Sequence, residues 1–336
     1  MSYRKRVCED VEAAGKRHKG NRDVGTPLMG HHYGLKNQGA TCYLNSMLQI
    51  LFMTPEIHDR LDPKATVIDQ ELRTLFVKLK KTTCGTENIT KSLEITNVRQ
   101  QRDAAQCLEK ILHKVSSNVS QVFKGQQKYT TTCSKGHIII EEINPFLILP
   151  LSLEDANDTS YSVENGFGKI LLEKTDNEVY CNKCEEKTEA TSECQMLEFP
   201  HILILLLKRF DLDYSTMKYF KSDCCVEVPR TLQRKNKAYE LYGIVNHMGG
   251  LTGGHYTATI RSREDETWYE FDDSQVRKVD EEPFSNAGTY NSRTAYLLLY
   301  RDNESSARVL NKPAVIALVC GCVLISILII VLPTVL

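Results

Sequence analysis

The sequence predicts an α+β protein whose helices precede its strands, followed by an apolar segment long enough to cross a membrane. Hydrophobic residues make up 41% and charged residues 25% of the 336 residues, which is ordinary globular usage. Apolar residues recur at helical spacing in the first third, whereas short β-rich runs dominate after residue 121. Grouping of this kind indicates segregated helices and strands rather than alternating βαβ units.

The N-terminal arm, residues 1–32, is polar and basic and has no apolar centre, so we expect disorder and no secretory signal. The 42 Lys and Arg residues nearly balance the 43 Asp and Glu residues. This balance excludes a dedicated nucleic-acid binder. Without export the twelve cysteines stay reduced, which makes them candidates for metal binding or catalysis.

Three amphipathic helices are predicted before residue 121, and their apolar positions follow the i, i+3, i+4, i+7 pattern. The positions are Leu44, Met47, Leu48 and Leu51; then Ile68, Leu72, Leu75, Phe76 and Leu79; then Ala104, Leu108, Ile111, Leu112 and Val115. Pro55 ends the first helix near Thr54. The predicted strands are 138–140, 146–153, 202–207, 239–245, 256–261, 268–271 and 294–300.

Cys42 is the candidate nucleophile, because a glycine-containing loop leads directly into the first helix at this position. Free N–H groups and the positive end of the helix dipole favour a thiolate and would stabilise an oxyanion beside it. Asn37, five residues earlier, has a side-chain amide that could join such an oxyanion hole. A lone cysteine here would more simply be a small buried residue at a helix start.

A candidate base and its partner lie near the other end of the chain. His255 follows several glycines and enters a predicted strand, and Asp272 and Asp273 end the next strand. A carboxylate there could hold the imidazole in one tautomer. Alone, His255 would be an ordinary loop histidine. Together, the segments supply a nucleophile, a base and an orienting acid.

With these segments the chain closely resembles the ubiquitin-specific proteases, which are papain-like cysteine deubiquitinating enzymes. Residues 34–52 resemble the family's cysteine box, and residues 239–300 resemble its histidine box. Residues 101–108 resemble its Gln-x-Asp-Ala segment, and residues 207–210 resemble the strand before its blocking loops. The resemblance covers residues 33–301 and implies a catalytic domain with thumb, palm and fingers, the fingers lying within about 121–230.

The resemblance also implies a reaction, which is hydrolysis of the bond after the C-terminal glycine of ubiquitin without a catalytic cofactor. By position, Cys42 matches the nucleophile, His255 the general base and acid, Asp272 the orienting residue and Asn37 the oxyanion-hole side chain. Asp273 is the less favoured orienting residue, because the family usually uses the first acid of the pair.

Substrate-binding positions follow from the same resemblance. Asp103 and Gln106 match positions that contact the tail of ubiquitin. Gln106 replaces the family's usual glutamate, so we expect weaker ubiquitin binding but intact chemistry. The residues flanking the catalytic histidine are also expected to border the substrate: Gly253, Gly254 and Tyr256.

A structural zinc site is predicted in the fingers. Cys181 and Cys184 form a C-x2-C pair that begins 48 residues after Cys133. The family's zinc uses two such pairs, but glycine stands where the second cysteine of the first pair would be. His137 would then complete a Cys3His set. The alternative is a finger that has lost its zinc and kept some of the cysteines.

A membrane anchor is predicted at residues 314–336, which contain no charged residue. At about 1.5 Å per residue, this segment spans roughly 35 Å as a helix. Arg308 and Lys312, in the linker 302–313, favour a cytosolic catalytic domain. We therefore expect a tail anchor in the ER or mitochondrial outer membrane. A buried terminal helix is the alternative.

The sequence thus predicts a membrane-tethered deubiquitinase whose partners are ubiquitin, ubiquitinated proteins and the lipid bilayer. One alternative is a catalytically weak or silent ubiquitin-binding module. Another is a protease for a different ubiquitin-like modifier. A luminal glycoprotein is the third, since four Asn-x-Ser/Thr sequons occur in the chain.

Overall fold

A computed structural model describes residues 32–153, 160–170, 174–213, 216–234, 237–250, 253–279 and 288–303. Its α-helices are α1 (Cys42–Phe52), α2 (Val67–Leu79), α3 (Glu87–Ser92), α4 (Ala104–Lys114), α5 (Ser117–Ser120) and α6 (Val163–Ile170), with a 3-10 helix at Pro55–Arg60. Five of these helices precede every strand, which confirms the predicted α+β class.

The strands follow in chain order. They are β1 (Gly125–Cys133), β2 (Ile138–Phe146), β3 (Leu149–Ser152), β4 (Ser160–Ser162), β5 (Lys174–Cys181), β6 (Glu186–Glu198), β7 (Ile202–Lys208), β8 (Phe210–Asp213), β9 (Lys218–Lys221), β10 (Cys225–Pro229), β11 (Thr231–Arg234), β12 (Lys237–Gly249), β13 (Gly254–Arg261), β14 (Trp268–Asp272), β15 (Gln275–Lys278), β16 (Thr289–Ser292) and β17 (Ala295–Asp302).

Helix α1 is the central helix of the fold, and every residue in it except the last is buried. The predicted apolar stripe lies in a core that α1 shares with α2, α4 and one face of the largest sheet. The helix gives way to the 3-10 helix that begins at Pro55, close to the predicted end. Burial on all sides fixes the position of Cys42, the first residue of α1.

The largest sheet, here called the palm sheet, has the strand order β15-β14-β13-β12-β17-β7-β3, with β11 paired to β12. Its strands are antiparallel except for the β3–β7 pair. Along β17, Leu297 and Leu299 face the helical core, while Leu298 and Tyr300 face a second core containing α6. A sheet covered on both faces is a rigid support for residues at its strand ends.

A separate four-stranded antiparallel sheet, here called the finger sheet, has the order β2-β1-β6-β5. Its strands carry many polar residues, and β2 is largely exposed, whereas β1 is mostly half-buried. Within β2, Ile138, Ile140 and Ile143 are exposed as well. The sheet therefore receives little support from either hydrophobic core.

A buried guanidinium joins the segment that follows β7 to the palm sheet. Arg209 is fully buried and donates hydrogen bonds to the carbonyl oxygens of Ser222, Cys224, Ser292 and Ala295 at 2.6–3.2 Å. Burial lowers the pKa of its guanidinium to about 10, so it stays charged at neutral pH. Such a group is retained only where its donors are satisfied, as they are here.

Within the described ranges, no helix is both long and apolar enough to span a membrane. The predicted anchor at residues 314–336 lies outside the described residues, as do residues 1–31 of the predicted arm and most of the 302–313 linker.

Candidate active site

Cys42 begins α1 at the end of a tightly bonded loop, and its side chain is only 4% exposed. The side-chain carbonyl of Asn37 accepts hydrogen bonds from the backbone N–H groups of Gly39 and Thr41 at 2.8 and 3.0 Å. Ala40 N–H donates to the carbonyl of Val98 at 2.8 Å. These bonds fix the loop that presents the sulfur.

The pKa of the Cys42 thiol lies above its ordinary value. Burial is the main cause, and the negative charge of Asp273 acts in the same direction. The backbone N–H groups of Tyr256, Tyr43 and Cys42 itself oppose the shift without cancelling it. The helix start therefore favours a thiolate as expected, but desolvation outweighs it. The free protein holds a neutral thiol that must lose its proton before it can attack.

The candidate base and acid lie on neighbouring strands. β13 and β14 are antiparallel with Ala258 opposite Phe271, which brings the start of β13 beside the end of β14. His255 Nε2 lies 2.6 Å from Asp272 Oδ1, with both side chains about a third exposed. This contact engages Nε2, so Nδ1 is the ring nitrogen left to exchange a proton with a thiol.

Asp273 has a different set of partners from Asp272. Its Oδ2 accepts from the side-chain amide of Asn37 at 2.9 Å, and its Oδ1 accepts from that of Asn45 at 2.8 Å. Its own carbonyl accepts from Leu35 N–H at 2.7 Å. One carboxylate thus joins the end of β14 to the cysteine loop and to α1.

The crossing of the cysteine loop over β14 is tight. A Cβ added to Gly34 would lie 2.4 Å from the carbonyl oxygen of Asp273, so only glycine fits there. The amide of Asn37 is held at both ends, through its carbonyl by the loop and through one amide hydrogen by Asp273. Among the described residues, Asp273 is the one acceptor found for this amide, so a second hydrogen remains for an oxyanion.

Gln101 bridges the cleft from the loop before α4. Its Nε2 donates to the carbonyl of Gly254 at 2.5 Å, and its Oε1 accepts from Gly254 N–H at 2.7 Å. The same Nε2 lies 3.9 Å from Cys42 Sγ. Among the side chains of the described part of the chain, Gln101 and not the ring of His255 is therefore hydrogen-bonded to the Cys42 sulfur.

The predicted substrate-binding residues lie around this bridge. Asp103 accepts from Gln106 N–H at 2.9 Å as the N-cap of α4, and it also accepts a hydrogen bond from the hydroxyl of Tyr296 on the palm sheet. The Gln106 side chain is exposed. Gly253 is exposed, Gly254 half-buried and Tyr256 buried, so the glycine side of His255 is the open one.

A lysine holds the opposite side of the glycine segment. Lys221 Nζ donates to the carbonyls of His247 and Gly249 at 2.8 and 3.0 Å. Gly249 has φ +91°, a conformation that strongly favours glycine. The strand ends on both sides of the segment are thus tied, one by Lys221 and the other by Gln101.

The four predicted metal ligands come together at the tip of the finger sheet, here called the finger site. The Sγ atoms of Cys133 and Cys184 are 3.9 Å apart. His137 Nδ1 lies 3.3 Å from Cys184 Sγ and 3.8 Å from Cys181 Sγ. All four ligand atoms lie within 4.8 Å of one another.

These separations match a tetrahedral metal. Zn–S bonds of about 2.3 Å and Zn–N bonds of about 2.0 Å place ligand atoms roughly 3.5–3.8 Å apart. The turn carrying the first two ligands needs Gly136 at φ +83°. Ser134 Oγ pairs with Thr188 Oγ1 at 2.6 Å, which joins this turn to the hairpin of the other two ligands. The donor set and its spacing therefore fit Zn²⁺.

Sequence reasoning missed two groups that complete the cleft. Gln101 was part of a matched segment but had no role, and the bonds from Asp273 to Asn37 and Asn45 were not foreseen. A signal was present for Asn45, because an asparagine that folds into a buried helix needs a hydrogen-bond partner. No local pattern marked Gln101.

A buried cysteine at a helix start, beside two neighbouring strands that carry a histidine and an aspartate in contact, is the arrangement of papain-like cysteine hydrolases. The family model described as ubiquitin carboxyl-terminal hydrolase matches residues 33–300. The chain therefore belongs to the ubiquitin carboxyl-terminal hydrolase family, which confirms the family expected from the resemblance.

Curated relatives agree with this assignment. Ubiquitin carboxyl-terminal hydrolase 47 of Xenopus tropicalis is 26% identical, with 80% of this chain aligned to 28% of the relative. The Homo sapiens protein of the same name is also 26% identical, over 80% and 27%. Ubiquitin C-terminal hydrolase 12 of Arabidopsis thaliana is 27% identical, over 83% and 30%. The chain spans less than a third of the length of these relatives.

Proposed function

We propose that this protein is a cysteine-type deubiquitinase that hydrolyses the bond after the C-terminal glycine of ubiquitin. The observation that carries the proposal is the 2.6 Å His255–Asp272 contact on strands next to the buried thiol of Cys42. Asn37, locked by Asp273, supplies an oriented amide on the same loop as the sulfur. Family membership over residues 33–300 supports ubiquitin as the substrate.

The proposed reaction begins with proton transfer from Cys42 Sγ to His255 Nδ1. The sulfur attacks the glycine carbonyl, and Asn37 with backbone N–H groups stabilises the tetrahedral oxyanion. His255 then gives the proton to the departing lysine amine as the C–N bond breaks, leaving a thioester. Water, deprotonated by His255, attacks the thioester and releases ubiquitin with a free carboxylate. Asp272 stabilises the imidazolium in both halves.

One feature supports selection for a glycine-ended tail. Gln101 is bonded to Gly254 and lies 3.9 Å from Cys42 Sγ, so a side chain next to the scissile bond would compete with it for the space beside the sulfur.

The strength of ubiquitin binding depends on another residue. Gln106 is exposed on α4, where it could meet the tail without the charge of the family's usual glutamate. We therefore expect ubiquitin binding that is weaker than is usual in the family.

We also propose that the finger site holds Zn²⁺ through Cys133, His137, Cys181 and Cys184. The short distances among the four ligand atoms support this proposal. The ion would hold two hairpin turns together and would take no part in hydrolysis, because its ligands lie in a separate sheet from the cleft.

Tethering to a membrane is part of the same proposal and rests on the uncharged segment 314–336. With the basic residues Arg308 and Lys312 before it, the segment favours a catalytic domain on the cytosolic face of the ER or mitochondrial outer membrane. A protein placed in this way would act on ubiquitinated proteins close to that membrane.

The test uses the full chain in detergent with ubiquitin that carries a thiol-reactive C-terminal warhead. We expect an adduct with the wild type and with Cys84→Ala, a half-buried cysteine outside the cleft, but none with Cys42→Ala. A parallel probe built on another ubiquitin-like modifier should react far more slowly. Lack of adduct from folded protein would support a silent ubiquitin-binding module, and preference for the other probe would support a different modifier.

A further inference from the structure

The amide of Gln101 makes an unusual pair of contacts for a side chain outside the expected catalytic set. Its carbonyl and amino groups bind the N–H and carbonyl of one residue, Gly254, at 2.7 and 2.5 Å. The pairing copies the two-way exchange between opposed residues of an antiparallel sheet. Gly254 is the residue immediately before His255, so the clamp acts on the backbone that carries the imidazole.

The base of Gln101 is itself held in place. Two residues later, Asp103 caps α4 and accepts a hydrogen bond from Tyr296 on β17. Gln101 therefore extends from a helix start already bound to the palm sheet. Close packing on the far side of Gly254 leaves the clamped residue little freedom, since a Cβ there would lie 2.3 Å from His247 Nε2.

We propose that Gln101 is a positioning residue for the reaction, which fixes Gly254, and through it His255, while directing an N–H toward Cys42 Sγ. One amide is suited to this because it offers a donor and an acceptor to Gly254 and has a second hydrogen left for the sulfur, 3.9 Å away. A carboxylate lacks the donors, and an apolar side chain lacks both groups. The inference rests on the proposed function for its kinetic part only.

Two substitutions separate positioning from packing. Gln101→Met keeps the length of the side chain and removes every hydrogen bond. Gln101→Glu keeps the acceptor for Gly254 N–H but places a negative charge beside the carbonyl and the sulfur. Gln100→Met is the matched control, because Gln100 is the exposed neighbour. Each variant of the full chain is first checked by thermal melting.

The first readout is steady-state hydrolysis of a ubiquitin C-terminal amide. We expect Gln101→Met to lower kcat about 10- to 100-fold with KM within about threefold, since the ring is misplaced while the binding surface is intact. Gln100→Met should match the wild type. A kcat within threefold of the wild type in Gln101→Met would overturn the proposal.

The second readout is alkylation of Cys42 by iodoacetamide from pH 6 to 10, which needs no ubiquitin. The negative charge in Gln101→Glu should move the rise in rate to higher pH, whereas loss of packing alone would not move it. An unchanged pH profile in Gln101→Glu would also overturn the proposal. If wild-type protein alkylates normally but does not cleave ubiquitin, the proposed function fails while this readout still decides the role of Gln101.

Discussion

The catalytic cleft and the finger site both gather cysteine and histidine, but the chain assembles them in opposite ways. The finger site takes its four ligands from two turns of one sheet, and the ligand atoms contact one another directly. The cleft joins groups far apart in sequence, such as Gln101 with Gly254 across 153 positions and Asn45 with Asp273 across 228. The sulfur of Cys42 is buried and hydrogen-bonded to the Gln101 amide, whereas the sulfurs of Cys133 and Cys184 in the finger site contact each other.

This difference follows from what each site has to do. A metal holds ligands that converge on one point, so two short turns are enough to supply them and no large hydrophobic core is needed around the site. A nucleophile needs one open side, a proton acceptor of fixed orientation and an oxyanion donor, each held from a different direction. A substitution that disrupts one site should therefore leave the other intact.

The largest effect is expected from Asp272→Ala. The change removes the carboxylate that lies 2.6 Å from His255 Nε2, so the imidazole loses both the group that orients it and the negative charge that stabilises the imidazolium. We expect kcat for ubiquitin-amide hydrolysis to fall about 1,000-fold or more. Zinc content, measured on the same sample, should equal that of the wild type. A loss below tenfold would show that His255 is oriented by something other than Asp272.

A substitution in the finger site should have the opposite effect, since it should disrupt metal binding and leave the reactivity of Cys42 unchanged. Cys181→Ala removes one of the four proposed zinc ligands, so the protein should no longer bind zinc and its melting temperature should fall by about 10 °C, equivalent to roughly 3–4 kcal/mol. Alkylation of Cys42 by iodoacetamide should stay within about twofold. Cys194→Ala, a buried cysteine of β6 outside the finger site, is the control and should keep its zinc. A large change in Cys42 reactivity would contradict the separation of the two sites.

The same contrast explains what could be predicted from sequence. The helices α1, α2 and α4 lie where the apolar spacing placed them, because each buries one continuous stripe. The long strands β5 and β6 were missed, since their many charged and polar residues leave no regular apolar alternation. Tertiary pairing, rather than local pattern, makes them strands.

For the candidate sites, too, some contacts were predicted from the sequence and others were not. The structure brings together the four predicted finger ligands and pairs His255 with Asp272. The contacts of Gln101 and Asp273 were not predicted, because a side-chain bond between distant segments leaves no spacing in the sequence. Their positions became evident only once the strand ends and the cysteine loop were placed side by side.

A smaller effect within the cleft is expected from Asp273→Asn. The change leaves only one acceptor oxygen, so the hydrogen bond from either Asn37 or Asn45 is lost and the other loses its charge assistance. The oxyanion donor is thereby loosened without a change at His255. We expect hydrolysis to slow about 10- to 100-fold. The pKa of the Cys42 thiol should fall at the same time, because the charge of Asp273 helps to raise it. Slower hydrolysis together with a more acidic thiol would distinguish this residue from Asp272; a loss without any thiol shift would count against it.

The smallest effect concerns the protonation state of Cys42 in the free protein. This state should distinguish Cys42 from the proposed metal-ligand cysteines of the finger site. Burial raises the pKa of this thiol, so at neutral pH the free protein carries mainly the unreactive protonated form. The thiolate fraction, and with it the rate of alkylation by iodoacetamide, should then increase about tenfold per pH unit from pH 7 to 9. Rates in Cys42→Ala supply the background from other cysteines. A plateau below pH 8 would mean that His255 already holds the proton at rest, and that the cleft sulfur is a thiolate like the metal-bound ones proposed for the finger site.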